Sequence, residues 1–188
     1  MRTRAKISTA MGALIGRWAG RLRAGTLTLP DGSHLQLPTN SGPHHHHGGP
    51  RGSRFQVFAV DGVQADALTL SHTFHTEDDG VPGDVRVQLH LQVTADNALH
   101  MAWTAMALRA PTVLNLTGHA FFNLAGGGST HGHSLQVPSS RYVPLAADVC
   151  PTGALAGVPG TPFDFRQARR VEEAIAKPHE QLALAGGL

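Results

Sequence analysis

The sequence predicts an all-β fold of stacked antiparallel sheets, and three observations support this prediction. Apolar and polar residues alternate with a period of two over several segments, as they do along half-buried strands. The 188 residues include 22 glycines and 12 prolines, which indicates many tight turns, while charged residues make up only 15%. A single segment, Phe165 to Ala176, is a helix candidate, and Pro178 lies just beyond its end.

Two hairpins are predicted in the first third of the chain. Apolar residues alternate with polar ones on both sides of Pro30-Asp31-Gly32. Asp-Gly between two alternating segments is a strong signal for a tight turn. The same argument predicts a strand over 55–60, a turn at Asp61-Gly62, and a partner strand over 67–71.

The clearest strand runs from Val85 to Val93. Every second position in it is Val or Leu, and each position between is polar. A helix cannot place five such residues on one face, whereas a half-buried strand must do so. Ala95-Asp96-Asn97 then turns the chain, and the alternation resumes from Leu99 to Ala105. We therefore predict a long antiparallel hairpin.

Composition and charge exclude several classes of function. Fifteen basic and 13 acidic residues give a net charge of only +2, and no block of like charges suggests nucleic-acid binding. No apolar segment approaches the ~18 residues of a membrane helix. The single cysteine, Cys150, excludes an intrachain disulfide. The apolar segment after Arg2, Arg4 and Lys6 is too short and interrupted to be a convincing export signal, so we expect a cytoplasmic protein.

Three segments carry residues suited to chemistry. In Gly16–Arg21, two arginines bracket Trp18, which suggests either exposed arginines beside a packed ring or a sugar-binding surface. His44 to His47 lie in a glycine-rich segment, and a purification tag, a metal site and a loop that presents one histidine to a ligand are the alternatives. His119 has apolar neighbours, so it is either a satisfied core residue or a general acid, since imidazole exchanges protons near neutral pH.

The order of these segments resembles the aldose 1-epimerase family, of galactose-mutarotase type, over almost the whole chain. Gly16–Arg21 is similar to the family's Gly-Arg-aromatic-Ala-Asn-Arg segment, and Asn40–Gly52 to its His-Gly-Gly loop. Asn115–Leu124 is similar to its Asn-Leu-Thr-Asn-His-Ser-Tyr-Phe-Asn-Leu block. Further matches are the following: Gly80-Val81-Pro82-Gly83, Arg141-Tyr142-Val143-Pro144, Pro151-Thr152-Gly153 and Thr161-Pro162-Phe163-Asp164-Phe165.

The resemblance implies a galactose-mutarotase-like antiparallel β-sandwich, or supersandwich, and an isomerase of carbohydrate metabolism. Members interconvert the α and β anomers of free aldoses such as galactose and glucose, without a metal or an organic cofactor. The expected partner is a small aldose sugar, while nucleic acid and membrane are not expected and the oligomeric state is left open. A sugar-binding pseudoenzyme is the alternative.

The resemblance also implies the roles of individual residues. His119 would be the general acid that protonates the ring oxygen. The implied substrate-binding residues are Arg21, Gly20, His47, Ala120 and Phe121. Three of these positions depart from the family pattern, because Gly20 replaces an asparagine and Ala120-Phe121 replaces Ser-Tyr, which removes an amide and two hydroxyls.

The family's sugar-binding Asp and Gln and its catalytic Glu base would all lie beyond Leu188, and its first sheet region would precede Gly12. We therefore expect residues 1–188 to form a single, partial domain of doubtful activity. Missing strands would leave unpaired sheet edges and exposed apolar faces.

Overall fold

The computed structural model describes residues 10–29 and 31–185. The chain divides into two compact units, which meet in sequence between Ala120 and Phe121. The basic N-terminal segment that was considered as an export signal, apart from its last residues, lies outside the described residues, as does Pro30 of the first predicted turn. No helix in the described ranges has the length and apolar character that spanning a bilayer requires.

Strands outnumber α-helices in the described ranges of both units, as the all-β prediction requires. The elements of the first unit are β1 (Leu14–Ile15), β2 (Arg21–Leu22), β3 (Thr26–Thr28), β4 (His34–Gln36), β5 (His45–His46), β6 (Ala59–Val63), β7 (Ala67–Phe74), α1 (Thr76–Asp79), β8 (Val85–Val93), β9 (Leu99–Ala107) and β10 (Thr117–Gly118). Those of the second are β11 (Ser134–Leu135), β12 (Arg141–Tyr142), β13 (Ala156–Gly157), β14 (Arg169–Arg170), α2 (Val171–Ile175) and α3 (Glu180–Leu184).

The largest sheet is a four-stranded antiparallel meander in the order β6-β7-β8-β9. The predicted long hairpin is confirmed, since β8 pairs with β9 from Val85 opposite Ala107 to Val93 opposite Leu99. The turn between them places Asn97 at a φ of 62°, a left-handed conformation that asparagine tolerates. The hairpin β3–β4 is confirmed as well, with Leu27 opposite Leu35.

Burial along the apolar face of β8 is graded. Val87 and Leu89 are fully buried, whereas Val93 on the same face is 54% exposed. The buried end packs with Phe74, Val85 and the partly buried Leu116. The other end of this face leaves a group of large apolar side chains in contact with solvent, which we call the exposed apolar face: Val60, Val63, Val93, Leu99 and Met101.

Two sequence predictions were wrong about local structure. The strand predicted over 55–60 begins only at Ala59, and Asp61-Gly62 lies inside β6 at a β-bulge instead of forming a turn. Asp61 is satisfied across the sheet, because its carboxylate accepts hydrogen bonds from Ser71 Oγ at 2.9 Å and Gln88 Nε2 at 3.2 Å. The chain turns instead over 64–66, where Gln64 N–H donates to the carbonyl of Ala67.

The predicted helix over Phe165–Ala176 is also shorter than expected. Its helical part is α2, Val171–Ile175, and the residues just before it form β14. Arg170 pairs with Ser134 of β11. This pairing holds the backbone extended in the first half of the predicted helix, so the helix begins only at Val171. Tertiary pairing thus overrides the local helical pattern.

Three short antiparallel ladders in the first unit place the residues singled out by the sequence. β1 pairs with β10, β2 with β5, and β3 with β4. A small core supports the last two ladders and consists of Leu22, Leu27, Leu37 and Val81. Val81 belongs to the predicted Gly80-Val81-Pro82-Gly83 turn, and it is only 3% exposed.

Arg17 fits neither alternative considered for its segment, an exposed arginine or a sugar-binding one, because it lies in the core. The Arg17 side chain is 1% exposed and donates from Nε to the Asp79 carboxylate at 2.8 Å. It also donates to the carbonyl of Gly83 at 2.5 Å and to Thr112 Oγ1 at 2.9 Å. A buried guanidinium is tolerated only with such partners. Arg17, just after β1, thus links that part of the chain to the β7–β8 connection and to the segment after β9.

Candidate active site

His119 is positioned by backbone pairing. It follows β10 directly, and its N–H donates to the carbonyl of Ala13 at 2.9 Å. Its own carbonyl accepts from the N–H of Gly12, also at 2.9 Å. These two bonds extend the β1–β10 ladder by one residue, so the half-buried imidazole of His119 is held on a paired strand.

His47 is tied to Gly20 through both its backbone and its ring. The N–H of His47 donates to the carbonyl of Gly20 at 3.0 Å, and the N–H of Gly20 donates to His47 Nδ1 at 3.1 Å. A ring nitrogen that accepts a hydrogen bond carries no proton. The neutral His47 ring therefore carries its proton on Nε2, which makes that atom a hydrogen-bond donor for a ligand.

The rings of His47 and His119 lie close together. Their centroids are 5.2 Å apart, and the rings meet edge to face at 88°. His46 also packs against His47, at a centroid distance of 3.7 Å and an interplanar angle of 31°. The structure thus brings two of the sequence-predicted site residues into one place, although they are far apart in the chain.

Burial lowers the pKa of His47 from 6.5 to about 4, and electrostatic interaction with His119, Arg54 and Arg21 contributes to this lowering. The pKa of His46 is also lowered to about 4, again mainly by burial and then by His47 and the neighbouring arginines. Both rings are therefore neutral at physiological pH. A neutral imidazole in this position donates or accepts hydrogen bonds but contributes no charge.

The four consecutive histidines have different roles. His44 accepts at Nδ1 from the N–H of Ala24, whereas His45 donates from Nδ1 to the carbonyl of Pro38. Both rings are buried and bonded to separate backbone segments. This arrangement matches the hypothesis that a glycine-shaped loop presents a histidine to a ligand, since His47 is the ring that faces His119.

The glycines after His47 permit this loop to pack tightly. A Cβ on Gly48 would lie 1.8 Å from the carbonyl oxygen of Gly16, and one on Gly52 would lie 2.4 Å from that of His47. Gly48 also has a φ of 77°, which non-glycine residues rarely adopt. The loop therefore needs glycine to bring His47 against the segment that begins the arginine motif.

Arg21 lies beside these histidines, and its role in binding a substrate stays a prediction. It is directly opposite His46 in the β2–β5 ladder, so the two side chains leave the same face. Its Nε–H is buried and has no hydrogen-bond partner among the described residues. Of the remaining predicted site residues, Gly20 contacts His47, while Ala120 and Phe121 follow His119 in the chain and are exposed.

The sequence analysis missed Arg54. This residue lies in a 3-10 turn, Ser53–Phe55, immediately after the glycine loop, and its guanidinium stacks over the Phe55 ring at 4.6 Å. The preceding Ser53 donates from its N–H to the carbonyl of Gly16, against which Gly48 of the His47 loop also packs. The charge of Arg54 adds to the lowering of the pKa of both His46 and His47. The only sequence signal was a cation two residues beyond the loop, which is common in surface turns.

The chain matches known proteins of one family. The family model for aldose 1-epimerase matches residues 2–182. A galactose mutarotase from Sus scrofa is 35% identical over 170 residues, which cover 89% of this chain and 48% of that protein. The aldose 1-epimerase of Escherichia coli is 29% identical over 177 residues, covering 94% of this chain and 51% of that protein.

Solved structures agree with the sequence matches. An aldose epimerase homologue from C. elegans superposes with a TM-score of 0.84 at 32% identity, covering 90% of this chain and 51% of the other. The galactose 1-epimerase from Lactobacillus acidophilus gives 0.85 at 29% identity, covering 97% and 55%. The predicted galactose-mutarotase-like β-sandwich fold is thereby confirmed. These 188 residues span about half the length of the relatives they match, and the chain belongs to the aldose 1-epimerase family.

Proposed function

We propose that this chain provides the acid side of a mutarotase site, which interconverts the α and β anomers of a free hexose such as galactose or glucose. The observation that carries the proposal is the edge-to-face pair of His47 and His119, with Gly20 and Arg21 beside it. The names of the relatives support the same reaction class, since they are galactose mutarotases and aldose 1-epimerases.

The chemistry requires two proton transfers. A base removes the proton of the anomeric hydroxyl while an acid protonates the ring oxygen, so that the hemiacetal opens. The C1–C2 bond then rotates, and the ring closes on the other face of the aldehyde. In this proposal His119 donates the proton to the ring oxygen, and it recovers that proton when the ring closes.

His47 and Arg21 hold the sugar in position. His47 Nε2–H and the Arg21 guanidinium are donors, and a sugar hydroxyl or ring oxygen is an acceptor. Donors aimed at the oxygens where charge develops stabilise the transition state more than the bound ground state. By the family resemblance the base is a glutamate, in a part of the family fold that these residues do not match.

Polarimetry of freshly dissolved α-galactose tests the proposal. We expect the purified chain to accelerate mutarotation over buffer, and His119→Ala to lower that acceleration by about a hundredfold or more. Galactose affinity should change little, because the acid acts mainly in the transition state. His100→Ala, at an exposed position of β9, is the matched control and should retain the parental rate.

Equal mutarotation rates for the parent and His119→Ala would reject the catalytic role of His119. Galactose binding by the parent without any acceleration would instead support the alternative function, a sugar-binding pseudoenzyme. Calorimetric titration with galactose, run on the same samples, separates these two outcomes.

A further inference from the structure

Arg54 is a cation that the proposed mutarotase site does not use. Its Nε–H is buried and has no hydrogen-bond partner among the described residues. Buried donors in folded proteins are nearly always paired, and an unpaired one costs free energy. Arg21 has the same unpartnered Nε–H, but the proposed function already assigns Arg21 to the sugar oxygens.

The surroundings of the two histidines are positively charged. After burial, the groups that shift the pKa of His47 are His119, Arg54 and Arg21, and all three lower it. No carboxylate, which would raise it, is among these groups. Arg17, by contrast, faces a carboxylate: its Nε donates to Asp79 in the core, although its Nη2 also lacks a partner among the described residues. Two guanidinium groups close to neutral imidazoles create a positive potential that an anion would offset.

Arg54 is held on the same framework as His119. Its neighbour Ser53 donates from N–H to the carbonyl of Gly16 at 3.0 Å and from Oγ to the carbonyl of Leu14 at 2.6 Å. Leu14 belongs to β1, which pairs with the strand that leads into His119. The backbone that carries Arg54 is thus fixed relative to the histidine pair, as a specificity-determining residue requires.

We propose that the preferred ligand of this site is an aldose that carries a carboxylate, such as a hexuronate, and that Arg54 binds the carboxylate group. This inference rests on the proposed function, because it places the sugar ring beside the edge-to-face pair of His47 and His119. A planar guanidinium matches the two oxygens of a carboxylate with parallel hydrogen bonds. Arg54 thereby sets the substrate class, while His119 and Arg21 act on the ring.

Calorimetric titrations of the intact chain with galactose, galacturonate and acetate test the inference. We expect galacturonate to bind about tenfold more tightly than galactose at low salt, since hydrogen bonds to charged groups are the stronger ones. Acetate, which has the carboxylate without the sugar, should bind much more weakly than galacturonate. The preference should shrink as the salt concentration rises, because the Arg54 side chain is only partly buried.

Three variants assign the effect to Arg54. Arg54→Gln should make the affinities for galactose and galacturonate equal. Arg54→Lys should keep part of the preference, since lysine retains the charge but lacks the planar guanidinium that forms two parallel hydrogen bonds. Arg86→Gln, at an exposed position of β8, is the matched control and should keep the full preference. Circular dichroism of each variant checks that the fold is retained.

The histidines provide a second measurement that needs no variant. A carboxylate bound beside them should raise the pKa of His46 and His47 from about 4, which NMR titration of the imidazole protons detects. Galactose should not raise these values, because it brings no charge and can only bury the rings further.

The outcomes separate this inference from the proposed function. Equal affinity for galactose and galacturonate in the parent would overturn the carboxylate assignment and leave the sugar site intact. Failure of both sugars to bind would overturn both. Acetate binding as tight as galacturonate binding would show a free-carboxylate site and would also overturn the inference.

Discussion

At the scale of single residues, the candidate site depends on neutral histidines in fixed orientations. The hydrogen bond from Gly20 to His47 Nδ1 sets the tautomer, and His46 packs against the His47 ring. The neutral state and the fixed orientation both come from burial in a loop whose close packing requires glycine at positions 48 and 52. The site is therefore sensitive to protonation and to small changes in loop volume.

Acid should destabilise the fold through His46 and His47. Folding lowers both pKa values from 6.5 to about 4, so the unfolded chain binds these protons more tightly than the folded chain. The free energy of unfolding should therefore fall as the pH drops from 6.5 through about 4, and this stabilisation is fully present above 6.5. Urea unfolding at a series of pH values measures the slope.

His47→Gln should flatten that slope between pH 6.5 and about 4. His100→Gln, at an exposed position of β9, should leave it as in the parent. A variant without His47 that loses stability as steeply as the parent in this range would contradict the assignment.

Gly48→Ala should strongly destabilise the first unit. The added Cβ would lie 1.8 Å from the backbone of Gly16, and the residue would keep a φ of 77°. We expect a loss of about 3 kcal/mol or more in the free energy of unfolding, from overpacking and left-handed strain together. Gly32→Ala is the matched control, since Gly32 has a φ of 83° with no neighbour within 4 Å.

Gly32→Ala should cost only about 1–2 kcal/mol, the contribution of the backbone conformation alone. Chemical denaturation of both variants gives the comparison. Equal losses at the two positions would show that the contact between the loop and Gly16 contributes nothing.

The residue scale is also where sequence analysis missed most. Motif order was enough to place His119, His47 and Arg21, because each lies in a recognisable segment. The burial of Arg17 was not predictable, since it depends on Asp79 and Thr112, which come from distant parts of the chain. Arg54 was missed for the same reason, because its importance comes from its neighbours in space.

At the scale of elements, β8 carries much of the core of the first unit. Its apolar face is buried at Val85, Val87 and Leu89, and it lies between β7 and β9 in the meander. Toward Val93 the same face becomes exposed. A single strand therefore contains buried and exposed positions of the same residue type on the same side.

This gradient gives a matched pair of substitutions. Val87→Ala should lower the free energy of unfolding by about 2 kcal/mol, because it removes two methyl groups from a fully buried position. Val93→Ala, at a position that is 54% exposed, should change it by less than about 0.5 kcal/mol. Similar losses for the two variants, measured by urea unfolding, would show that the core does not end where β8 becomes exposed.

Local pattern predicted the elements well where pairing partners are neighbours in the chain. The β8–β9 hairpin follows from alternation alone, because each strand is long and its partner begins after one turn. The bulge at Gly62 depends on pairing across a sheet, and so does the extended backbone at Arg169–Arg170, which delays the start of the predicted helix. Asp-Gly and a run of helix-forming residues were consequently misinterpreted at these two places.

At the scale of the whole molecule, the most unusual property is the exposed apolar face. Val60, Val63 and Val93 are more than half exposed, and Leu99 and Met101 extend the surface across the sheet. Large contiguous apolar surfaces on soluble domains are interaction or aggregation sites. The face also lies on a sheet whose outer strands are β6 and β9.

The purified chain should therefore self-associate in a concentration-dependent manner. Val63→Thr combined with Leu99→Thr should lower the associated fraction in sedimentation velocity, because both changes place hydroxyl groups on the face. Val57→Thr is the control, since Val57 is 89% exposed but lies outside the strands of the sheet. A monomeric parent at high concentration, or an equal effect of the control, would contradict this prediction.

The pairing of β1 with β10 has a consequence for the order in which the molecule folds. The meander joins strands that follow one another in sequence, so its loops close quickly and at small entropic cost. The β1–β10 ladder instead joins Leu14 to Gly118, near the two ends of the first unit. His119 is therefore placed late in folding, and it is released early when the ladder frays. A partly opened molecule would keep most of its β-sheet signal while it had already lost the proposed proton donor, so the proposed mutarotase activity should decline before secondary structure does on gentle heating.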